Sequence, residues 1–143
     1  MQNSVDAIIS IHPIHADAIL GGHKTIELRR RVPQLASGTR LWIYATRPTA
    51  AVVGYATIKQ VLKAKPDAIW REHRGGANID RTSFKTYFNG SKEAVAILLF
   101  AVKKIAPISI EQLRVIREHF HPPQVIMRIT GSEAKTLRKL AQS

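Results

Sequence analysis

A glycine pair near the N-terminus separates a short segment with helical spacing from a strand that alternates polar and apolar residues. The strand follows Gly22 and reads His-Lys-Thr-Ile-Glu-Leu-Arg over positions 23–29. Because successive side chains of a strand point to opposite faces, Ile26 and Leu28 are predicted to face the core. The opposite face then carries Thr25, Glu27 and Arg29, with Lys24 within reach from the preceding loop. Such a cluster suits a polar planar ligand such as a nucleobase, and it equally fits a solvated strand face.

The segments around this strand define the order of elements in the first half of the chain. The β-branched apolar run at 8–11 predicts a strand. Apolar residues at positions 16, 19 and 20, after Pro13, predict a short helix that the glycine pair ends. A Ser37-Gly38 turn leads into an apolar strand at 41–45, and a strand containing glycine follows at 52–58.

This order of elements resembles that of the ASCH domain (activating signal cointegrator homology). ASCH domains are a branch of the PUA-like superfamily of small β-barrels, which is named after an RNA-binding domain. The resemblance rests on residues 8–10 with Pro13, Gly22, Lys24, Glu27, Arg29, the Gly38 turn, residues 41–44 and Val53-Gly54. Residues 84–90 and 121–124 are similar to later segments of one bacterial subgroup. The resemblance implies that Lys24, Glu27 and Arg29 line a cleft between the barrel and its first helix.

The second half of the chain predicts helices around a long buried strand. Residues 66–73 predict a helix opened by proline that ends before Gly75-Gly76, and Asp80 caps a helix over 81–88. Residues 93–105 predict the long strand and residues 124–129 the last one. Capping boxes at 109–112 and 130–133 open two more helices. Together these elements predict a single α+β domain over residues 1–143, a small mixed or antiparallel β-barrel with surrounding short helices.

Composition and charge narrow the class of protein. The 143 residues are 45% hydrophobic, enough for one folded domain, and the absence of cysteine excludes disulfides and thiolate chemistry. Lys and Arg number 22 against 10 Asp and Glu, and the resulting formal charge of +12 is typical of proteins that bind nucleic acids. No stretch approaches a membrane span, and the first residues lack the pattern of a secretory signal. We therefore expect a cytoplasmic protein with no membrane partner.

The predicted ligand site combines the motif with residues from two other segments. Its members are Lys24, Glu27, Arg29, Tyr44, Lys85 and Tyr87. Glu27 is able to accept a hydrogen bond from a base amine, Arg29 to bind phosphate or to hold Glu27, and Lys24 to supply a compact charge. The tyrosines offer stacking faces for bases. The expected partner is RNA or another single-stranded nucleic acid, or else a modified nucleoside, and no cofactor is predicted.

Hydrolysis on the same fold is the alternative function, with Lys24 and Glu27 as the catalytic candidates. One branch of the resembled family is similar to amidohydrolases acting on acylated cytidine, in which the lysine activates a threonine. Glu27 occupies the position of that threonine here and lacks its hydroxyl nucleophile. A metal-independent ribonuclease needs a base, an acid and a cation, and among six histidines His23 adjoins the motif. No metal site is predicted, because no carboxylate or cysteine stands at ligand spacing from the pairs His12 with His15 and His119 with His121.

Overall fold

The structure, a computed structural model, describes residues 6–142. Within this range the six strands are β1 (Asp6–Ile11), β2 (Ile26–Arg29), β3 (Arg40–Ala45), β4 (Ala51–Ala64), β5 (Ala94–Ser109) and β6 (Ile126–Ile129). The five helices of the same range are α1 (Pro13–Leu20), α2 (Pro66–Ala77), α3 (Arg81–Phe88), α4 (Ile110–Ile116) and α5 (Gly131–Ala141). None of these helices is long and apolar enough to cross a bilayer. The predicted mixed α+β class is confirmed.

The strands form one mixed sheet in the order β2-β5-β4-β3-β1-β6. β1 and β3 run parallel, and all other neighbours are antiparallel. Within residues 6–142, β2 pairs with β5 and β6 pairs with β1, so these two short strands are the edges of the sheet. The β-barrel expected from the sequence is therefore not confirmed, because no ladder joins β2 to β6 in the part of the chain that is described.

β4 and β5 are the longest strands and extend beyond the lengths expected from the sequence. They span 14 and 16 residues, and their pairing shifts register at three places. Such irregularities bend and twist a strand pair, which lets long strands curve around a core. Gly54 lies at one shift, where a Cβ atom would come within 2.5 Å of the Lys103 carbonyl oxygen. A side chain at this position would therefore push β4 and β5 apart.

Both faces of the central strands are buried, each in a different core. Leu41 and Ile43 of β3 pack with Ile9 of β1 and Ile19 of α1 in one hydrophobic cluster. The alternate residues of β3, Trp42 and Tyr44, pack in a second cluster with residues of α4 and α5. A third cluster joins β2 and β5 to α2 and α3. The sheet is thus covered by helices on both faces, and α2 and α3 pack on the strand that carries the motif.

Capping residues begin the helices where the sequence predicts them, and α2 ends later than predicted. The side chains of Asp80, Ser109 and Thr130 each accept a hydrogen bond from a backbone N–H in the first turn of their helix. The expectation that α2 ends before Gly75-Gly76 is wrong, because the helix continues to Ala77. At Gly76 a Cβ atom would lie 2.5 Å from the Thr25 Oγ1 atom. Glycine here permits close packing of α2 on β2 and does not act as a helix stop.

A charged pair joins the end of α4 to the start of α5. The Arg117 Nε and Nη2 atoms donate to the two carboxylate oxygens of Glu133 at 2.6 and 2.7 Å. Glu133 also accepts from the Thr130 backbone N–H at 2.8 Å. These hydrogen bonds, chiefly those from Arg117, lower the pKa of Glu133 from 4.5 to about 2. The pair therefore fixes the angle between two helices that cover one face of the sheet.

Replacing Glu133 with glutamine should reveal this contribution, because Glu133→Gln keeps an acceptor for Thr130 and removes the charge facing Arg117. We expect the free energy of unfolding at neutral pH to fall by about 1 kcal/mol. The folded pKa lies below the ordinary value, so the carboxylate stabilises the fold above pH 4.5 and loses this effect as the pH falls towards 2. Urea titrations of both proteins across that window measure the effect, and a difference that does not shrink at low pH would contradict it.

Candidate functional site

A pocket of about 240 Å³ opens where β1 ends, α1 begins and β2 passes alongside. Its lining residues are Ser10, Ile11, His12, His15, Lys24, Glu27, Leu28, Arg29, Ile79 and Tyr87. The loop after α2 supplies Ile79 and α3 supplies Tyr87, so the pocket is bordered by elements from both halves of the chain. Its volume is below the range of pockets for drug-sized ligands and fits one small polar group.

Lys24 is a buried cation that lines this pocket. Its side chain is only 3% exposed, and its Nζ atom donates to the Ala77 carbonyl oxygen at 2.5 Å. The Nζ atom also lies 3.9 Å from the Glu27 Oε1 atom. Burial lowers the pKa of Lys24, the Glu27 carboxylate opposes this shift, and the Arg29 charge adds to it. Lys24 is therefore a better proton donor than a lysine in water.

Glu27 holds the second cation of the site, Arg29. The Arg29 Nε and Nη2 atoms lie 2.8 and 2.7 Å from the Glu27 Oε2 atom. Arg29 Nη2 also donates to the Ser10 carbonyl oxygen at 2.8 Å, which ties β2 to the end of β1. Ile26 and Leu28 pack in the third hydrophobic cluster, as predicted, although Leu28 also borders the pocket that Glu27 and Arg29 line. We refer to Lys24, Glu27 and Arg29 below as the charge cluster.

The charge cluster carries net positive charge, because two cations surround one carboxylate. Both oxygens of Glu27 face these cations, at 3.9 Å from Lys24 and 2.7 Å from Arg29. Glu27 therefore acts first as the counter-ion that keeps Lys24 and Arg29 in place inside the protein. The single positive charge that remains favours an anion such as a phosphate group in the pocket.

Two histidines from the start of α1 face the same pocket. His12 is the N-cap residue of α1, and its Nδ1 atom accepts a hydrogen bond from the Ile14 backbone N–H at 3.3 Å. In a neutral imidazole this leaves the proton on Nε2, the outer nitrogen. His15 lies one turn further, with its ring centre 6.4 Å from that of His12. Burial lowers the pKa of His15 from 6.5, and the charge of Lys24 lowers it further, so this imidazole is neutral at physiological pH.

Ser10 adds a hydroxyl group that has no protein partner. Its Oγ atom is buried and makes no hydrogen bond with residues 6–142, although the residue lines the pocket. A buried polar atom without a partner costs free energy unless something outside the chain satisfies it. A ligand or a water molecule in the pocket would supply that hydrogen bond.

The remaining residues predicted from the sequence are divided between the pocket and other places. Tyr87 lines the pocket, with the Arg30 guanidinium 4.8 Å above its ring centre. Lys85 is exposed on the same helix and does not line the pocket, and His23 is exposed beside Gly21. Tyr44 is 3% exposed and packs near Phe120 in the second core, so the fold does not bring it to the charge cluster.

Sequence reasoning missed the positions of His12, His15 and Ser10. The i, i+3 spacing of the two histidines was visible, but only their relation to β2 shows that they share a pocket with Lys24. Within residues 6–142 no three His, Cys, Asp or Glu side chains are grouped so as to hold a metal ion. The described arrangement thus combines a neutral imidazole, a second imidazole, an ammonium group and a guanidinium around one small pocket.

Comparison with known proteins connects this chain and its fold to one family. Residues 9–131 match a family model described as a domain of unknown function, DUF365. A protein from Zymomonas mobilis subsp. mobilis named "ASCH domain-containing ribonuclease" is 37% identical over 135 residues, which are 94% of this chain and 91% of that protein. The crystal structure of ASCH from Zymomonas mobilis is 37% identical, with a TM-score of 0.92 over 94% of both chains.

A more distant structure shares the fold alone. The human THYN1 protein, solved in complex with DNA containing 5-methylcytosine, has a TM-score of 0.58 and 10% identity. It covers 98% of this chain and 99% of its own. The Zymomonas protein, by contrast, matches nearly the full length of this chain in both sequence and structure. The chain therefore belongs to the family of ASCH domain proteins, and within it to the group that the DUF365 model describes.

Proposed function

We propose that this protein binds single-stranded RNA and cleaves it in the pocket beside the charge cluster, without a metal ion. The observation that carries the proposal is that two histidines, His12 and His15, line the same small pocket as the buried Lys24. Support comes from the relative named a ribonuclease, which is 37% identical over 94% of the chain. The formal charge of +12 agrees with a polyanionic substrate.

The first half of the reaction needs a base that is free to accept a proton. His15 meets this requirement, because burial and the nearby Lys24 lower its pKa and keep the imidazole neutral. His15 accepts the proton of the ribose 2′-hydroxyl while that oxygen attacks the neighbouring phosphorus atom. His12 donates from Nε2 to a non-bridging phosphate oxygen, as its Nδ1 atom is already bonded to the backbone.

The second half of the reaction needs an acid and stabilisation of negative charge. The bond from phosphorus to the leaving 5′ oxygen breaks, and the Lys24 ammonium donates a proton to that oxygen. The lowered pKa of Lys24 favours this transfer. Arg29 contributes positive charge, and Glu27 positions both cations. The products are a 2′,3′-cyclic phosphate on one fragment and a 5′-hydroxyl on the other.

Tyr87 and Lys85 of α3 are proposed to guide the RNA strand into the pocket. Tyr87 presents a ring at the pocket wall, where a base adjacent to the reacting phosphate would stack. Lys85 is exposed two residues earlier on the same helix and would contact the backbone outside the pocket. Two alternative functions of the pocket are binding of RNA without cleavage and hydrolysis of an acylated cytidine. The following experiment distinguishes both from RNA cleavage.

Removing His15 or Lys24 should lower the rate of RNA cleavage by a larger factor than it lowers the affinity for RNA. We expect His15→Asn and Lys24→Met to lower the cleavage rate of a labelled single-stranded RNA by about 10²- to 10⁴-fold in the presence of a chelator. His23→Asn is the matched control, because His23 is exposed and lies outside the pocket, and its rate should be unchanged. Melting temperatures of all variants verify folding, and acylated cytidine serves as the second substrate.

Each possible result of this experiment has a distinct meaning. RNA that stays intact with the unmodified protein, yet binds in a Lys24-dependent way, would overturn cleavage and leave a binding module. Release of cytidine from the acylated nucleoside would instead indicate an amidohydrolase. Cleavage by His15→Asn at the rate of the unmodified protein would exclude His15 as the base and place the catalytic centre outside the pocket.

The pKa of His15 provides a test that does not depend on activity. The Lys24 charge lowers the pKa of His15 and the Glu27 carboxylate raises it. Lys24→Met should therefore shift the histidine titration to higher pH, and Glu27→Gln should shift it to lower pH. Two-dimensional NMR of the imidazole resonances across a pH series measures both shifts. Shifts of the same sign in the two variants would contradict the proposed arrangement.

The titration of His15 also determines how the cleavage rate depends on pH in the acidic range. A base must be deprotonated, so the cleavage rate should rise with pH and level off below the ordinary histidine value of 6.5. In Glu27→Gln the residual rate should level off at still lower pH, following the titration of His15. A rate that continues to rise well above pH 6.5 would exclude His15 as the base.

A further inference from the structure

A row of side chains crosses the sheet on the face opposite to α1. Trp42 of β3 pairs with Tyr55 of β4, and Tyr55 pairs with Lys103 of β5. Directly paired residues of neighbouring strands share one face of the sheet, so these three side chains lie side by side. Arg40, two residues before Trp42, lies on the same face with its guanidinium 4.1 Å from the Tyr55 ring centre and 5.6 Å from the Trp42 ring.

Arg40, Tyr55 and Lys103 of this row line a groove that the end of α5 borders, whereas Trp42 is buried beneath it. The groove has a volume of about 590 Å³, and its cations are Arg40, Lys103 and Arg138. No carboxylate of residues 6–142 lines it. An adjoining depression shares Arg138, adds Lys135 and Lys139 from the same helix, and is also lined by Asp6. We refer to both depressions together as the α5 groove.

Two of the cations in the α5 groove have no anionic partner in the protein. Within residues 6–142 the Arg40 guanidinium makes only ring contacts, and the Lys103 ammonium group makes no ion pair or hydrogen bond. Arg40 lies over the Tyr55 ring, which restricts the motion of its planar group and leaves its N–H donors available at the ring edge. An arginine held in this way is prepared to bind an anion.

Arg138 differs from these two residues because it has a structural partner. Its Nη2 atom donates to the Asp6 Oδ1 atom at 2.7 Å, and the Asp6 Oδ2 atom accepts from Trp42 Nε1 at 2.8 Å. Asp6 is 1% exposed, so the arginine neutralises a buried carboxylate. The buried Arg138 Nε atom makes no hydrogen bond with residues 6–142. Arg138 therefore supports the fold and also lines the groove.

We propose that the α5 groove is a second nucleic-acid site, which binds phosphates of an RNA strand at a distance from the pocket. Arg40 and Lys103 contact the phosphates. This proposal rests on the proposed function, in which RNA is the substrate. It adds a binding surface that is not required for the cleavage of a dinucleotide. The sugar-phosphate backbone, not base identity, is the recognised feature.

The shape and chemistry of the groove favour a single strand over other anions. The groove is concave and lies between the sheet and α5, which suits a narrow chain and does not suit a flat lipid surface. Tyr55 and Arg40 form a stacked pair, and bases of a single strand stack on such groups. An acidic peptide would use the cations but would gain nothing from the aromatic ring.

The test compares two double variants of the full chain. Arg40→Gln/Lys103→Gln removes the two unpartnered cations of the groove, and Lys59→Gln/Arg71→Gln removes the same charge from exposed positions that line neither site. The probe is a fluorescent single strand of about twelve nucleotides carrying 2′-O-methyl groups, which cannot be cleaved through the 2′-hydroxyl. Binding is measured by fluorescence polarisation over a salt series, and dinucleotide cleavage is measured in parallel.

We expect the groove variant to bind the long strand about tenfold more weakly or worse, with a smaller change in the control. The slope of log affinity against log salt should flatten by about 1.4 in the groove variant, or about 0.7 for each lost phosphate contact. Cleavage of the dinucleotide should be unchanged, because the pocket is intact. Equal affinity of the two double variants for the long strand would overturn the groove as an RNA site.

The two readouts separate failure of this proposal from failure of the proposed function. If the unmodified protein binds the long strand through the groove but never cleaves the dinucleotide, the groove proposal stands and the ribonuclease proposal fails. If it cleaves the dinucleotide and the groove variant binds the long strand normally, the reverse holds. A competition experiment tests the class of ligand. If polyglutamate of equal charge displaces the probe at the same concentration as unlabelled RNA does, the ligand of the groove is an acidic protein and the proposal of an RNA site is overturned.

Discussion

Burial of one carboxylate between two cations is the constraint on which the site and much of the N-terminal half depend. A single unpaired charge in a protein interior costs several kcal/mol, so Glu27 is stable at its position only with Lys24 and Arg29 beside it. Each cation is held in turn by a backbone carbonyl, Lys24 by Ala77 of α2 and Arg29 by Ser10 of β1. The charge cluster therefore forms only when β1, β2 and α2 have all reached their final places.

Close packing of α2 against β2 follows from the same constraint. The Lys24 Nζ atom reaches the Ala77 carbonyl because the last turn of α2 lies directly on the start of β2, where the Thr25 N–H donates to the Gly76 carbonyl at 2.9 Å. A Cβ atom at Gly76 would collide with Thr25, so a larger residue would separate the helix from the strand. The separation would also move the Ala77 carbonyl oxygen away from the Lys24 Nζ atom, which donates to it. The glycine thus serves the electrostatics of the site through packing.

The sequence pattern predicted the features that depend on local structure, such as which residues of a strand share a face. Features that depend on tertiary packing could not be predicted from it. Alternation along β2 separated Ile26 and Leu28 from Glu27 and Arg29, since a period of two is a property of the strand itself. The same alternation could not place Tyr44, because both faces of β3 are apolar and buried. The extent of α2 was missed because glycine commonly ends a helix, whereas Gly76 here permits close contact between α2 and β2. Two further features depend on pairing between strands that are far apart in the sequence. These are the open form of the sheet, which does not close into a barrel, and the position of α1 beside Lys24, Glu27 and Arg29.

The parallel strand β1 fixes the spacing between the pocket and the α5 groove. Ser10 lines the pocket and Asp6 lines the groove, four residues earlier on the same strand. At about 3.3 Å per residue, their Cα atoms are about 13 Å apart. Arg40 and Lys103 lie on the face of the sheet opposite to α1, whereas the pocket is lined by residues at the start of α1, so only a strand longer than a dinucleotide is expected to contact both sites. If both sites act on one molecule, the protein should discriminate substrates by length more than by sequence, because the groove adds phosphate contacts only after the strand extends past β1. The strong net charge of the chain would then serve affinity for long strands, and the buried charge cluster would serve the chemistry.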